Sequence, residues 1–228
     1  MNTGGMSYSA AGPPRTARVS AVCRALFNDV AQRLASGNKH EQRRMVREQM
    51  ARLQLRPGGK VLDFGCGTGL FARPVSELGL EYVGYDIDAA LVRYANWLRP
   101  SRSFVSDLSQ ARSLGPYDAV MSNCCFHHIS DVELRNALLP EIAAMLRPQG
   151  IFLLVDVLPP GPMAPWLSRA YVGMEQGGTR RSETQLDRLV GDRFVVHAKR
   201  SYRTHFLSLA NHWNPIWTDM VAYELSAR

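Results

Sequence analysis

The sequence predicts an α/β fold: a doubly wound, mostly parallel sheet of seven strands, with helices ahead of it and a proline-rich insertion after the fifth strand. Three observations predict it. Between Lys60 and Val157, short β-like runs alternate with helical stretches, which is the signature of βαβ units. Within that region, Val61-Leu62-Asp63-Phe64 runs directly into a turn containing Gly65, Gly67 and Gly69 and then into a helix. Finally, 228 residues at 46% hydrophobic composition can bury one full core, and no second domain is required.

Taken in order, residues 1–15 carry Gly4, Gly5, Gly12, Pro13 and Pro14 and are expected to form a flexible N-terminus. Val19, Val22, Cys23, Leu26, Phe27, Val30, Ala31 and Leu34 recur at the spacing of one helical face, and Gly37 ends that helix. A second helix covers 41–53. Strands follow over 61–64, 82–85, 104–106, 119–122 and 151–157, with helices over 70–78, 89–98 and 131–146. The last of these opens on a capping box, Ser130 with Glu133 three residues later, is kinked by Pro140, and is stopped by Pro148 and Gly150. Pro159, Pro160, Gly161, Pro162 and Pro165 prevent regular continuation and place a surface loop ahead of Trp166 and Tyr171. Ser182 and Gln185 cap a further helix carrying Leu186 and Leu189, and 194–201 and 221–226 read as two late strands. A single domain over 16–228 results, divided into a helical part (16–58), the half built around the glycine turn (59–158) and a second half (159–228).

Composition removes several classes of function. The longest apolar run, 150–158, is far shorter than the roughly 20 residues that span a bilayer, so a soluble protein is expected. Cys23, Cys66, Cys124 and Cys125 form no C-x-x-C pair, and adjacent cysteines are poorly placed to bridge each other, which favours a reducing cytoplasm. Arg15, Arg18 and Arg24 without neighbouring acids give the N-terminus the charge bias of a transit peptide but no long apolar secretory core, and a mature N-terminus is the favoured reading. A net charge of +7 would attract an anionic substrate, a membrane surface or nucleic acid. The basic residues are nonetheless dispersed among acidic ones, with no aromatic-interleaved basic motif, and this argues against nucleic acid.

The glycine turn narrows the chemistry. Gly65 and Gly67 permit backbone dihedrals and close approaches that a Cβ would block, and the helix that follows offers N–H groups at its start. A pyrophosphate-binding turn would read G-x-G-x-x-G; here the spacing differs, and Asp63 sets a carboxylate at the strand end, which suits a cationic ligand. Asp86 ends the second strand and Asp107 ends the third. One such Asp is usually a cap or turn residue, but all three fall at the carboxyl edge, where open α/β sheets bind ligands.

The D-x-G-x-G-x-G stretch at 63–69 resembles the first motif of the class I, Rossmann-like S-adenosylmethionine-dependent methyltransferases, and the resemblance covers about Lys60 to Val157. It implies S-adenosylmethionine as cofactor, held by Asp63 near its ammonium and by a turn of Gly65, Cys66, Gly67 and Gly69. Asp86 would hold the ribose, Ile87 the adenine face, Asp107 the adenine amino group and the Leu108 amide the ring. Asn123 would turn its backbone carbonyl toward the ammonium. The N-terminal helices become a lid and 159–228 the substrate side.

By the same resemblance, Cys124-Cys125-Phe126-His127-His128-Ile129 lies beneath the transferable methyl group. One of His127 and His128 packs the turn; the other, with a reference pKa of about 6.5, would face the acceptor and take its hydroxyl proton. Phe126, Trp166 and Tyr171, with Tyr8, Phe27 and Met174, are candidates for lining the acceptor pocket, although Phe27 also fits the core stripe. The segment lacks the N/D-P-P-Y/F stretch of enzymes that methylate exocyclic base amines. Some related enzymes bind a divalent metal here, at the positions of Cys124, His127 and His128, but no fourth ligand is evident and no metal is expected.

Methyl transfer from a sulfonium is an in-line displacement that chiefly requires alignment, and a base only for some acceptors. The pattern is similar to the branch holding quinone, lipid and natural-product methyltransferases. It implies transfer to the O, C or N atom of a small organic acceptor, anionic or hydrophobic, with the aromatic stretch 202–217 as a pocket wall or a homodimer contact. A tRNA or protein methyltransferase and a non-catalytic S-adenosylmethionine-binding regulator stay open, since Gly65, Gly67, Asp86 and Asp107 serve binding in every case.

Overall fold

The computed structural model describes residues 37–174, 179–205 and 217–228, with the side chains of 37–41, 171–174 and His205 excepted. The helix expected over 19–34, Tyr8, Phe27, Cys23 and the aromatic residues of 206–216 lie outside the described residues, as do the side chains of Tyr171 and Met174. In chain order come α1 (Gly37–Arg52), β1 (Lys60–Phe64), α2 (Ala72–Ser76), β2 (Glu81–Tyr85), α3 (Ala89–Leu98), β3 (Ser103–Val105), α4 (Leu108–Ser113) and β4 (Tyr117–Asn123). A 3₁₀ turn (Phe126–His128) precedes α5 (Asp131–Glu133), a π turn (Leu134–Leu138) and α6 (Leu139–Met145). Then follow β5 (Leu146–Val157), α7 (Trp166–Met174), α8 (Glu183–Gly191), β6 (Phe194–His205) and β7 (Trp217–Ala227).

The strands form one seven-stranded sheet in the order β3-β2-β1-β4-β5-β7-β6. The pairs from β3 through β5 are parallel, and β7 runs antiparallel to both β5 and β6. The chain winds outward from β1 through β2 to β3, then crosses back to β4 on the other side of β1 and continues to β5, so the sheet reverses its winding between β1 and β4. A crevice at the carboxyl edge is expected there.

Side chains alternate across the sheet and therefore build two apolar layers. Val61, Ala119, Met121 and Leu153 face one way and pack with Val46 and Met50 of α1, Val75 of α2 and Val92 of α3. Leu62, Phe64, Val120, Phe152 and Leu154 face the other way and meet Leu139 and Ile142 of α6 and Leu186 and Leu189 of α8. Runs buried on both sides are what a parallel sheet requires, and each fully covered Leu or Phe contributes about 1.5–3 kcal/mol.

Four local differences from expectation have physical causes. The helix after the glycine turn is shorter, Ala72–Ser76, because the turn itself runs on through Gly69, whose φ is +74°. A further helix, α4, begins at Leu108; Asp107 caps it by accepting the Ser109 N–H at 2.8 Å. The helix expected over 131–146 widens to a π turn just before Pro140, where the Leu139 N–H reaches back to the carbonyl of Leu134. Pro140 has no N–H to donate and crowds the preceding turn, and the wider turn makes room for it. Strand β5 starts at Leu146, which pairs with Tyr117, and Arg147-Pro148-Gln149-Gly150 then bulges out before Ile151 pairs with Ala119. Gln149 sits in the left-handed region at φ +66°. The Ser182 capping box forms with both of its bonds, and Ser130 caps α5 by accepting the Glu133 N–H at 3.2 Å.

Candidate active site

The parallel register brings the carboxyl ends of β1, β2 and β3 together: Asp63 pairs with Gly84 and Tyr85 with Val105, so Asp86 and Asp107 leave neighbouring strands at one edge. Gly65, Gly67 and Gly69 all have positive φ. A Cβ on Gly65 would lie 2.4 Å from Cys125 Sγ, and one on Gly69 2.4 Å from the Phe104 ring; at Gly67 nothing lies within 4 Å. The three glycines thus serve different ends. Gly65 and Gly69 let the turn press against the neighbouring loop and strand, whereas Gly67 faces open space.

Four amides of this turn are committed within the protein. Gly65 and Cys66 both donate to the carbonyl of Tyr85, at 2.8 and 2.9 Å, Gly69 donates to Cys66 O at 2.8 Å, and Gly67 donates to Asp86 Oδ2 at 2.8 Å. These four amides are therefore turned inward to the protein and away from a ligand. From α3's end, Arg99 Nη1 donates to the carbonyl of Thr68 at 2.6 Å and braces the turn from outside.

Asp63 is covered, 1% exposed, and Tyr82 Oη donates to its Oδ2 at 2.6 Å, while Oδ1 has no hydrogen-bond partner. Burial pushes its carboxyl up to about 7, against the lowering effect of the Tyr82 hydroxyl. Asp86 is partly covered; burial raises its pKa, opposed by N–H bonds from Asp88 and Gly67. Its two oxygens hold the Gly67 and Asp88 amides, and the carboxylate retains lone pairs for further donors. Beside it, Ile87 is 82% exposed. Asp107 is exposed, and its pKa is held down by the Ser109 hydroxyl and amide. These features suit S-adenosylmethionine: a buried carboxyl with one oxygen, Asp63 Oδ1, left for a cationic group, open space over Gly67, lone pairs on Asp86 for the ribose, and an uncovered apolar face at Ile87. Asp107 serves first as the cap of α4, with Leu108 as the first residue of that helix.

At the end of β4, Asn123 pairs with Val155, and Cys124 takes a positive φ of +52° that turns the chain sharply into the loop. His127 is fully covered, its Nδ1 2.6 Å from Oδ1 of the equally buried Asp156 of β5, and its ring lies 4.0 Å from that of His128. His128 is exposed. The structure therefore divides the pair: His127 is the one that packs the turn, and His128 is the one at the surface. Phe126, expected to line the pocket, is instead a core residue, fully buried 5.9 Å from the Phe152 ring. Trp166, at the start of α7, is 74% exposed. Cys66 is buried, Cys124 and Cys125 are partly covered, and none is disulfide-bonded. Burial pushes the Cys125 thiol up to about 12 and the Cys66 thiol well above its usual range, which leaves both protonated and poor nucleophiles.

Three residues that the motifs do not name complete the arrangement. Asp156 breaks the apolar run of β5 and could have been noticed as a charge in a buried strand. Tyr82 looks like an ordinary strand residue, and Arg181 carries no sequence signal beyond a pair of adjacent arginines. Arg181 is 2% exposed and donates to the carbonyls of Phe126 and Ile129 and to Asp131.

A cavity of about 460 Å³ lies along the same edge of the sheet, after β5 and over the ends of β6 and β7, lined by Leu158, Pro159, Tyr202, Arg203 and Met220 among others. It begins one strand from β4, about 5 Å, and its far wall is three strands away, about 14 Å. Among the described residues no three His, Cys, Asp or Glu side chains converge as metal ligands, and no helix is long and apolar enough to cross a membrane.

The profile of the family described as a methyltransferase domain matches residues 38–193. A ribosomal protein L11 methyltransferase of Thermus thermophilus is 36% identical over 125 residues, 52% of this chain and 46% of that protein. A ubiquinone biosynthesis O-methyltransferase of Rhodopseudomonas palustris is 30% identical over 105 residues, 44% of this chain and 40% of that protein. The chain spans less than half the length of either relative. Among solved structures, magnesium protoporphyrin IX methyltransferase from Synechocystis PCC 6803 with bound SAM matches at a TM-score of 0.63 and 18% identity, covering 96% of this chain and 100% of that one. At that identity the likeness concerns the fold.

Proposed function

We propose, on the premise that the chain belongs to the methyltransferase-domain family and carries an S-adenosylmethionine-dependent domain, that it methylates an O, C or N atom of a small organic acceptor. The observation that carries this reading is the cavity of about 460 Å³ at the carboxyl edge, a volume in the range of small-molecule sites and one strand from the loop at β4's end. Its lining mixes apolar Leu158, Pro159 and Met220 with Ser201, Tyr202, Glu183 and the Arg203–Asp219 ion pair, so an acceptor with an apolar body and a polar group fits it.

In this account Asp86 accepts the ribose hydroxyls, Ile87 covers one adenine face, and Asp63 with the Asn123 carbonyl holds the ammonium. The cofactor supplies an already activated methyl group, so the chain's task is alignment and the exclusion of competing water. His128, exposed at the loop, takes the proton of a hydroxyl acceptor, while buried His127 and Asp156 fix the loop that carries it. Trp166 and Tyr171 of α7 belong to the acceptor side. The acceptor is the partner, the cytoplasm the compartment, and a homodimer the assembly that this reading favours.

A second reading, a protein or RNA acceptor, draws on the 36% identity to a ribosomal protein L11 methyltransferase and on the net charge of +7. Both are tested together by supplying radiolabelled S-adenosylmethionine with three acceptor pools: small hydroxylated aromatics and lipids, ribosomal proteins, and total RNA. Label in the small-molecule pool supports the proposal. Label confined to protein or RNA overturns it, and in the RNA case binding should weaken steeply with salt.

A further inference from the structure

A buried guanidinium needs partners for its donors, and those of Arg181 go to one short loop. Nη1 donates to the carbonyl of Phe126 at 2.8 Å, Nη2 to that of Ile129 at 2.6 Å, and Nε to Asp131 Oδ1 at 2.6 Å. Two residues earlier, the Thr179 N–H donates to the carbonyl of His127. Three of the four carbonyls from Phe126 to Ile129 are thus held by the chain segment 179–181, where it returns from the acceptor side toward α8. The same loop is tied to β5 by the Cys124 N–H on Val155 O and by His127 on Asp156, and it presses Cys125 against the turn at Gly65.

We propose that Arg181 is a positioning residue for cofactor binding: it fixes the loop from Cys124 to Asp131 against the glycine turn and so joins the acceptor-side segment to the cofactor's edge. Apolar packing would serve a purely cohesive role at least as well, because a buried charge is costly to desolvate. A planar fork of five donors instead sets the relative places of three acceptors on one loop, which no apolar side chain and no single ammonium can do. Asp131, 52% exposed in its side chain, completes the clamp at the start of α5. The inference rests on the cofactor lying over Gly67, as proposed above.

The test uses S-adenosylhomocysteine as probe and needs no acceptor. Full-length wild type, Arg181→Lys and Asp131→Ala are titrated calorimetrically below their unfolding midpoints, and amide hydrogen exchange is followed over 124–131. Arg181→Lys is expected to bind the probe roughly three- to thirtyfold more weakly, with faster exchange at 126–129 and unchanged exchange in β4 and β5. Asp131→Ala, which removes one arm from a half-exposed site, should move both readouts in the same direction by less. A folded Arg181→Lys protein with a lower midpoint but wild-type affinity and wild-type loop exchange overturns the proposal. If Arg181→Lys does not fold, Asp131→Ala decides alone, and unchanged affinity and loop exchange in it overturn the proposal equally. Failure of the wild type to bind the probe would instead overturn the cofactor placement, a separate result.

Discussion

Replacing Gly65 and Gly67 by alanine, one at a time, separates two jobs performed by a single turn. Both residues sit at positive φ, +78° and +53°, where an alanine costs about 1–2 kcal/mol. At Gly65 the new Cβ also meets Cys125 Sγ at 2.4 Å and Cys125 Cβ at 2.8 Å, separations that force a shift of the loop. Overpacking of that kind adds about 1–3 kcal/mol, for a total near 2–5 kcal/mol. At Gly67 nothing is met within 4 Å, so stability should fall by about 1–2 kcal/mol only, while the Cβ enters the space assigned to the cofactor and S-adenosylhomocysteine binding should weaken by about tenfold or more. Urea unfolding measures the first effect and calorimetric titration the second. Adding Cys125→Gly to Gly65→Ala removes both contacts and should show a favourable coupling of about 1 kcal/mol or more in a double-mutant cycle. Equal unfolding free energies for the two alanine variants, with no coupling to Cys125, would refute the reasoning.

Further outcomes follow from the site. Because burial pushes Asp63 up to about 7 from the usual carboxylate range, the folded protein keeps a proton that the unfolded chain releases. Stability of the ligand-free protein should therefore fall as pH rises between about 4 and 7, by a few kcal/mol at most; a cationic ligand needs the ionised carboxylate, so probe affinity should rise with pH through about 7, and Asp63→Asn should flatten both profiles in melts and titrations. Replacing His127 by alanine strands buried Asp156 and should cost about 3–5 kcal/mol in unfolding experiments; His128→Ala, at the surface, should leave stability within about 0.5 kcal/mol but slow transfer to a hydroxyl acceptor once one is found. Ser182→Ala removes one half of a complete capping box and should lower stability by about 1 kcal/mol with no change in probe binding.

Much of this architecture was legible in the residues because the strands are short apolar runs buried on both faces and the turns are marked by glycine and proline. Asp63, Asp86 and Asp107 reach one edge because each directly precedes or ends a strand-to-turn junction, and parallel register aligns such junctions. What local pattern could not carry was non-local. The assignment of His127 to the interior depends on Asp156, 29 positions later in another strand, and Arg181 finds its partners 50 to 55 positions away. Phe126 looked like a pocket residue because of its place in a loop, yet one turn of 3₁₀ helix rotates it into the core beside Phe152. The π turn before Pro140 follows from a missing N–H that sequence reading took for a kink.

The central claim, that S-adenosylmethionine is held over the carboxyl edge of β1 to β3, is tested most directly by calorimetric titration of wild type and Asp86→Ala with S-adenosylhomocysteine. The account predicts saturable binding by the wild type and a loss of about 2–4 kcal/mol in the variant, since two charge-assisted hydrogen bonds to the ribose and the latch on Gly67 disappear together. Equal binding by both proteins would contradict it.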